Sequence, residues 1–62
     1  MLVKRRDLIR YLEKNGFFFL REGGNHTMYS DGKITIPVKQ HKILDRIYAN
    51  ETCKDAKLTP IF

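Results

Sequence analysis

His26-Thr27-Met28-Tyr29-Ser30-Asp31-Gly32-Lys33-Ile34-Thr35-Ile36-Pro37-Val38 is the stretch that decides the fold. Two short runs of strand-forming residues flank Asp31-Gly32, a strong two-residue hairpin signal. Strands are expected over His26 to Ser30 and Lys33 to Val38. If Ser30 pairs with Lys33, then Tyr29 faces Ile34, Met28 faces Thr35 and Thr27 faces Ile36. Opposed residues share a face and alternate along each strand. One face therefore carries Thr27, Tyr29, Ile34 and Ile36, and the other carries His26, Met28, Lys33 and Thr35. The first is the more apolar and is expected to meet the helices. His26 then falls on the opposite side or at its rim, which argues against a merely structural core histidine.

Upstream, Gly23-Gly24 is expected to turn the chain out of a first strand at Phe17-Phe18-Phe19-Leu20-Arg21. Phe17 and Phe19 would share one of its faces, Phe18 and Leu20 the other. Before it, Lys4 to Asn15 reads as a helix with Leu8, Ile9 and Leu12 as its apolar stripe, stopped by Asn15-Gly16. Downstream, Pro37 ends or edges the third strand. The basic connection Lys39-Gln40-His41-Lys42 leads to a second helix from about Asp45 to Ala56, whose inner stripe is Ala49, Thr52, Cys53 and Ala56. Asp45 is its capping candidate. Pro60 keeps the tail from continuing as helix. The expected fold is α+β in the order α-β-β-β-α, a three-stranded antiparallel sheet with both helices on one face.

Sixty-two residues make one domain, 1-62, with a thin core and no room for a separate cofactor fold. Twelve Lys and Arg against seven Asp and Glu give a formal charge of +5, which favours polyanionic partners, nucleic acid or acidic protein. The single cysteine, Cys53, excludes an internal disulfide and fits a reducing cytoplasm. No apolar run approaches the ~20 residues of a membrane span. His26, His41 and Cys53 lack the tight spacing of a metal site, so no metal or other cofactor is expected.

Histidine is the side chain best suited to moving protons near neutral pH. In Arg21-Glu22-Gly23-Gly24-Asn25-His26 it follows glycines whose backbone can approach a ligand and aim amides at an anion. One proton-transfer residue on a basic surface suggests chemistry on a phosphodiester, and RNA in particular. His26 is the catalytic candidate. Gly24, Asn25, Lys33, Lys39, His41 and Lys42 are candidates for binding RNA, the lysines because they would flank the His26 face. Lys4-Arg5-Arg6 places cations against the dipole of a helix N-terminus, a mild hint of polyanion binding. Phe18 and Leu20 are candidates for an apolar patch facing a partner protein, RNA bases or a second copy of the chain.

With these residues laid out, the chain resembles the HicA family of toxin–antitoxin systems over nearly its full length. The opening helix is similar in Arg6-Asp7-Leu8-Ile9 and Leu12-Glu13-Lys14-Asn15-Gly16-Phe17. The family's glycine, small polar residue and histidine appear as Gly24-Asn25-His26, followed by Met28 and Tyr29. Its proline and later histidine appear as Pro37 and His41, and its closing helix as Asp45-Arg46 through Cys53-Lys54-Asp55-Ala56. Asn25 stands where serine is usual, Lys57 where glycine is common, and Tyr48 where a threonine is frequent. The resemblance implies a double-stranded-RNA-binding-domain-like fold and a ribosome-independent endoribonuclease that cleaves messenger RNA. It also implies a cognate HicB-like antitoxin, with an oligomer possible in that complex. The competing expectations are a non-catalytic double-stranded-RNA-binding module, which needs the basic surface but not His26, and an interaction domain whose charge serves an acidic protein.

Overall fold

A computed structural model describes residues 1–62. The chain runs β1 (Leu2–Lys4), α1 (Arg5–Lys14), β2 (Phe18–Gly23), β3 (His26–Ser30), β4 (Thr35–Lys39), β5 (Ile43–Asp45) and α2 (Arg46–Asp55). Strands β2, β3 and β4 form an antiparallel sheet in that order. Leu8 and Leu12 from α1, Tyr29, Ile36 and Val38 from the sheet, and Ala49, Cys53 and Ala56 at α2 join one buried cluster. Both helices therefore cover the same sheet face, as expected for the α+β class. Two elements were not anticipated: β1 and β5 pair antiparallel in a second small sheet, Val3 opposite Leu44, and place both side chains in the core.

The expected hairpin register is corrected. Ser30 pairs with Thr35, Tyr29 with Ile36, Met28 with Pro37, Thr27 with Val38 and His26 with Lys39. The register has slipped by two residues, an even number, so the faces survive while the partners change. Thr27, Tyr29, Ile36 and Val38 are buried; His26 and Met28 are half-buried on the other side. The cause is Asp31. Its Oδ1 accepts from the amides of Lys33 (2.8 Å) and Ile34 (2.7 Å), and its own amide donates to the Ile34 carbonyl (3.2 Å). Asp31 to Ile34 thus close a four-residue loop, because a carboxylate that captures local amides takes them out of the strand ladder.

Those same amide bonds to Ile34 and Lys33 hold the Asp31 carboxyl below its ordinary pKa. A depressed folded-state pKa contributes stability that is present above the unfolded value, about 3.9. That contribution is lost as pH falls through the folded value. Asp31→Ala is therefore expected to lower the urea midpoint at neutral pH. The gap to the parent chain should close on acidification below pH about 4. A gap that stays constant to pH 2 would show that the carboxylate charge contributes nothing.

The β2–β3 turn is also one residue later than expected. Gly23 remains in the strand opposite His26, and Gly24-Asn25 makes the turn, with Gly24 at φ +59°. A positive φ at the first central position alone is the pattern of a II′ hairpin turn. Between Phe19 and Arg21 a bulge leaves Leu20 without a partner on β3. Beyond it, Arg21 faces Met28 and Glu22 faces Thr27.

Both helices end alike. In α1 the Phe17 amide donates to Leu12 O (3.0 Å) and the Gly16 amide to Glu13 O (3.2 Å), with Gly16 at φ +90°. In α2 the Leu58 amide donates to Cys53 O (2.8 Å) and the Lys57 amide to Lys54 O (2.9 Å), with Lys57 at φ +62°. This is the Schellman pattern, whose left-handed residue is normally glycine. Lys57 adopts it at the cost that L-residues carry there, roughly 1–2 kcal/mol. Part of that is regained in the unfolded state, where glycine has more freedom to lose. Lys57→Gly is expected to stabilise the fold by about 0.5–1 kcal/mol, read as a rise of several degrees in Tm. An unchanged or lower Tm would contradict the strain.

Candidate functional site

His26 opens β3 at the end of the sheet where β2 finishes at Gly23 and β4 finishes at Lys39. Its strand neighbours are those two residues, so its side chain shares the outer face with that of Lys39. Three further segments reach this end: the Gly24-Asn25 turn, the Gln40-His41-Lys42 connection, and the start of α1, where the Arg5 amide donates to Lys42 O (2.8 Å).

Polar contacts tie the segments together. The Arg5 guanidinium donates from Nε to Lys39 O (2.7 Å) and from Nη2 to Thr27 Oγ1 (2.9 Å). The Thr27 hydroxyl in turn donates to the Glu22 carboxylate (3.4 Å). Gln40 Nε2 donates to Glu22 and, at 3.2 Å, to the carbonyl of His26, while the Gln40 amide donates to Asn25 O (3.2 Å). Gln40 thus holds His26 by the main chain and not by the ring. The outward edge of β4 is closed at this end. Tyr48 Oη accepts from the Lys39 amide (3.1 Å) and donates to Pro37 O (3.5 Å), and Lys39 Nζ lies 4.5 Å from the Tyr48 ring centroid.

Lys39, His41 and Lys42, all exposed, lie with Gly24 and Asn25 at the His26 end. Lys33 does not join them. It sits in the loop at the far end of β3, more than about 13 Å along the strand from His26. The expectation that Lys33 flanks the His26 face is corrected by the same Asp31 loop that moved the register. Gln40, Glu22 and Thr27 carry no sequence signal as parts of the site, and Arg5 stands out only within the basic run Lys4-Arg5-Arg6. Glu22 opposite Thr27 follows from a turn centred on Gly24-Asn25, whereas the Arg5 contacts span 34 and 22 residues and leave no local signal.

Two titratable groups are set by burial. Desolvation pushes the Tyr29 phenol above its ordinary pKa, against a lowering from nearby Arg5. Desolvation likewise pushes the Cys53 thiol up, so this fully buried cysteine is packing and not a nucleophile. No three His, Cys, Asp or Glu side chains cluster as a metal site would.

The geometry defines a small α+β domain with a half-buried histidine and exposed cations at one end of its sheet. A family model described as the HicA toxin of bacterial toxin–antitoxin systems matches residues 5–58. The chain belongs to that family, and the family implies a cognate antitoxin as partner. No curated protein and no solved structure matches the chain. No helix is long and apolar enough to cross a membrane.

Proposed function

We propose that this toxin is an endoribonuclease that cleaves messenger RNA, with His26 as its proton-transfer residue. The observation that carries the reading is the position of His26: half-buried at a strand start, beside Lys39 and the Gly24-Asn25 turn, in a chain of the HicA toxin family. As base, the imidazole takes the proton of a ribose 2′-hydroxyl, whose oxygen attacks the adjacent phosphorus. The phosphorus–O5′ bond breaks, leaving a 2′,3′-cyclic phosphate and a 5′-hydroxyl. As acid, the imidazolium gives its proton to the departing O5′. Lys39 and Lys42 supply positive charge for the phosphates, His41 offers a ring N–H, and the turn amides at Gly24 and Asn25 donate to the scissile phosphate in this reading.

The test is incubation of the purified chain with labelled single-stranded RNA in EDTA, with end analysis of the fragments. Cyclic-phosphate ends support the reading. RNA binding without cleavage assigns the non-catalytic module instead, and loss of cleavage in EDTA that returns with a divalent ion overturns the metal-free route. Inhibition by a cognate HicB-like antitoxin, acidic where it covers the basic end, belongs to the same reading.

A further inference from the structure

A pocket of about 390 Å³ opens at the start of α1, lined by Lys4, Arg5, Arg6, Gln40, Lys42 and Ile43. Four of the six are cations and none is an acid. They come from separate stretches, the β1–α1 junction and the β4–β5 connection, joined by the bond from the Arg5 amide to Lys42 O. The protein's one ion pair, Lys54–Glu51 at 3.6 Å, lies elsewhere on α2, so none of these four cations is held in an ion pair. Asp7, in the same first turn of α1, lines the neighbouring cavity and not this one, and Glu22 is engaged by Thr27 and Gln40. Gathering like charges in a concavity is unfavourable, and an anion seated among them removes the penalty.

The lining is also pre-organised. Arg5 is held through Nε and Nη2, which leaves its other N–H groups available in a fixed plane. Gln40 sits in the pocket wall and bonds the His26 carbonyl, so the pocket is directly joined to the strand that carries the histidine. Lys4, the residue before α1, provides no side-chain cap, and Asp7 is the one acid of the first turn, set against Lys4, Arg5 and Arg6.

We infer that this pocket binds a backbone phosphate of the RNA strand next to the linkage cut at His26, fixing the strand's register across the site. The inference rests on the RNase reading. Phosphate contacts of this kind position a strand without reading its bases.

The experiment uses the full chain carrying His26→Ala, expected to bind without cutting, and a short single-stranded RNA. Arg6→Gln/Lys42→Gln is compared with Lys14→Gln, an exposed cation at the other end of α1. Circular dichroism confirms that each is folded. The pocket variant is expected to reduce the slope of log affinity against log salt by about 0.7, the value for one phosphate of a single strand. Lys14→Gln should leave the slope in place. A neutral methylphosphonate, moved along the RNA one linkage at a time, should weaken binding at one linkage beside the cut. That penalty should vanish in the pocket variant.

An unchanged slope in the pocket variant, or no linkage coupled to it, overturns the pocket while the RNase reading stands. If inorganic phosphate raises the Tm of the parent but not of the pocket variant and the RNA slope does not move, the site takes free phosphate and the assignment to RNA is overturned. No RNA binding by the His26→Ala chain removes both.

Discussion

His26→Ala is expected to lower the rate of RNA cleavage by about 10²–10⁴-fold, the usual contribution of one positioned acid–base group. At 1.36 kcal/mol per decade this is about 3–5 kcal/mol of transition-state stabilisation. The fold should not change. His26 is outside the buried cluster, and its ties to Gly23, Lys39 and Gln40 run through the main chain, which alanine keeps. Affinity for RNA should be nearly preserved, because the cations stay in place. The loss therefore belongs in kcat and not in KM. His41→Ala serves as comparator: exposed, in the connection after β4, it is expected to cost less than tenfold. Single-turnover cleavage of labelled RNA by the parent and both variants measures this. A loss under tenfold for His26→Ala, or a larger one for His41→Ala, would move the chemistry off His26.

The largest effect on stability is expected from Leu12→Ala. Leu12 is fully buried, and its main-chain carbonyl accepts from the amides of Asn15 and Phe17 at the end of α1. Removing a buried leucine side chain costs about 2–5 kcal/mol, the larger values where the site cannot collapse. A chain of this size has roughly 3–9 kcal/mol in total at 0.05–0.15 kcal/mol per residue. Relaxation is restricted here, because Leu12 packs in a cluster formed jointly by α1, the sheet and α2. Urea unfolding should show Leu12→Ala largely unfolded at 37 °C, whereas Ile9→Ala, only partly buried, should remain folded. Equal midpoints for the two would show that α1 is not seated as described. A partner that binds only the folded chain should restore much of the lost structure, since binding adds to apparent stability.

The faces of the sheet could be read from the sequence because side-chain alternation depends only on parity. Thr27 and Tyr29 face inward in either register, because the expected and observed pairings differ by an even number of residues. The partners could not be read, since they turned on one carboxylate: Asp31-Gly32 has the composition of a two-residue turn, yet Asp31 captures the amides of Lys33 and Ile34. That slip decides the site. It sets Lys39 opposite His26 where the expected register sets Pro37, and it removes Lys33 to the far end. The stripe Ala49, Thr52, Cys53, Ala56 and the Asp45 cap were legible because helical spacing and capping are local; the Ile47 amide does donate to Asp45 Oδ1 at 2.7 Å. Strands β1 and β5 were not, because three residues carry no period. The role of Arg5 is purely tertiary, and nothing near it in the chain announces Thr27 or Lys39 as partners.

The two edges of the three-stranded sheet are unlike. On β4, Pro37 has no amide to offer, the Lys39 amide is taken by Tyr48, and the Lys39 carbonyl by Arg5. On β2 the outer edge pairs with nothing and exposes Phe18, Phe19 and Leu20. A ribbon that can be extended from one side only has no means of passing growth along from copy to copy. If two such sheets join by their open edges, each uses up the other's opening, and the assembly closes as a symmetric pair. Accumulated to high concentration, this sheet lacks the head-to-tail contact from which a fibril elongates.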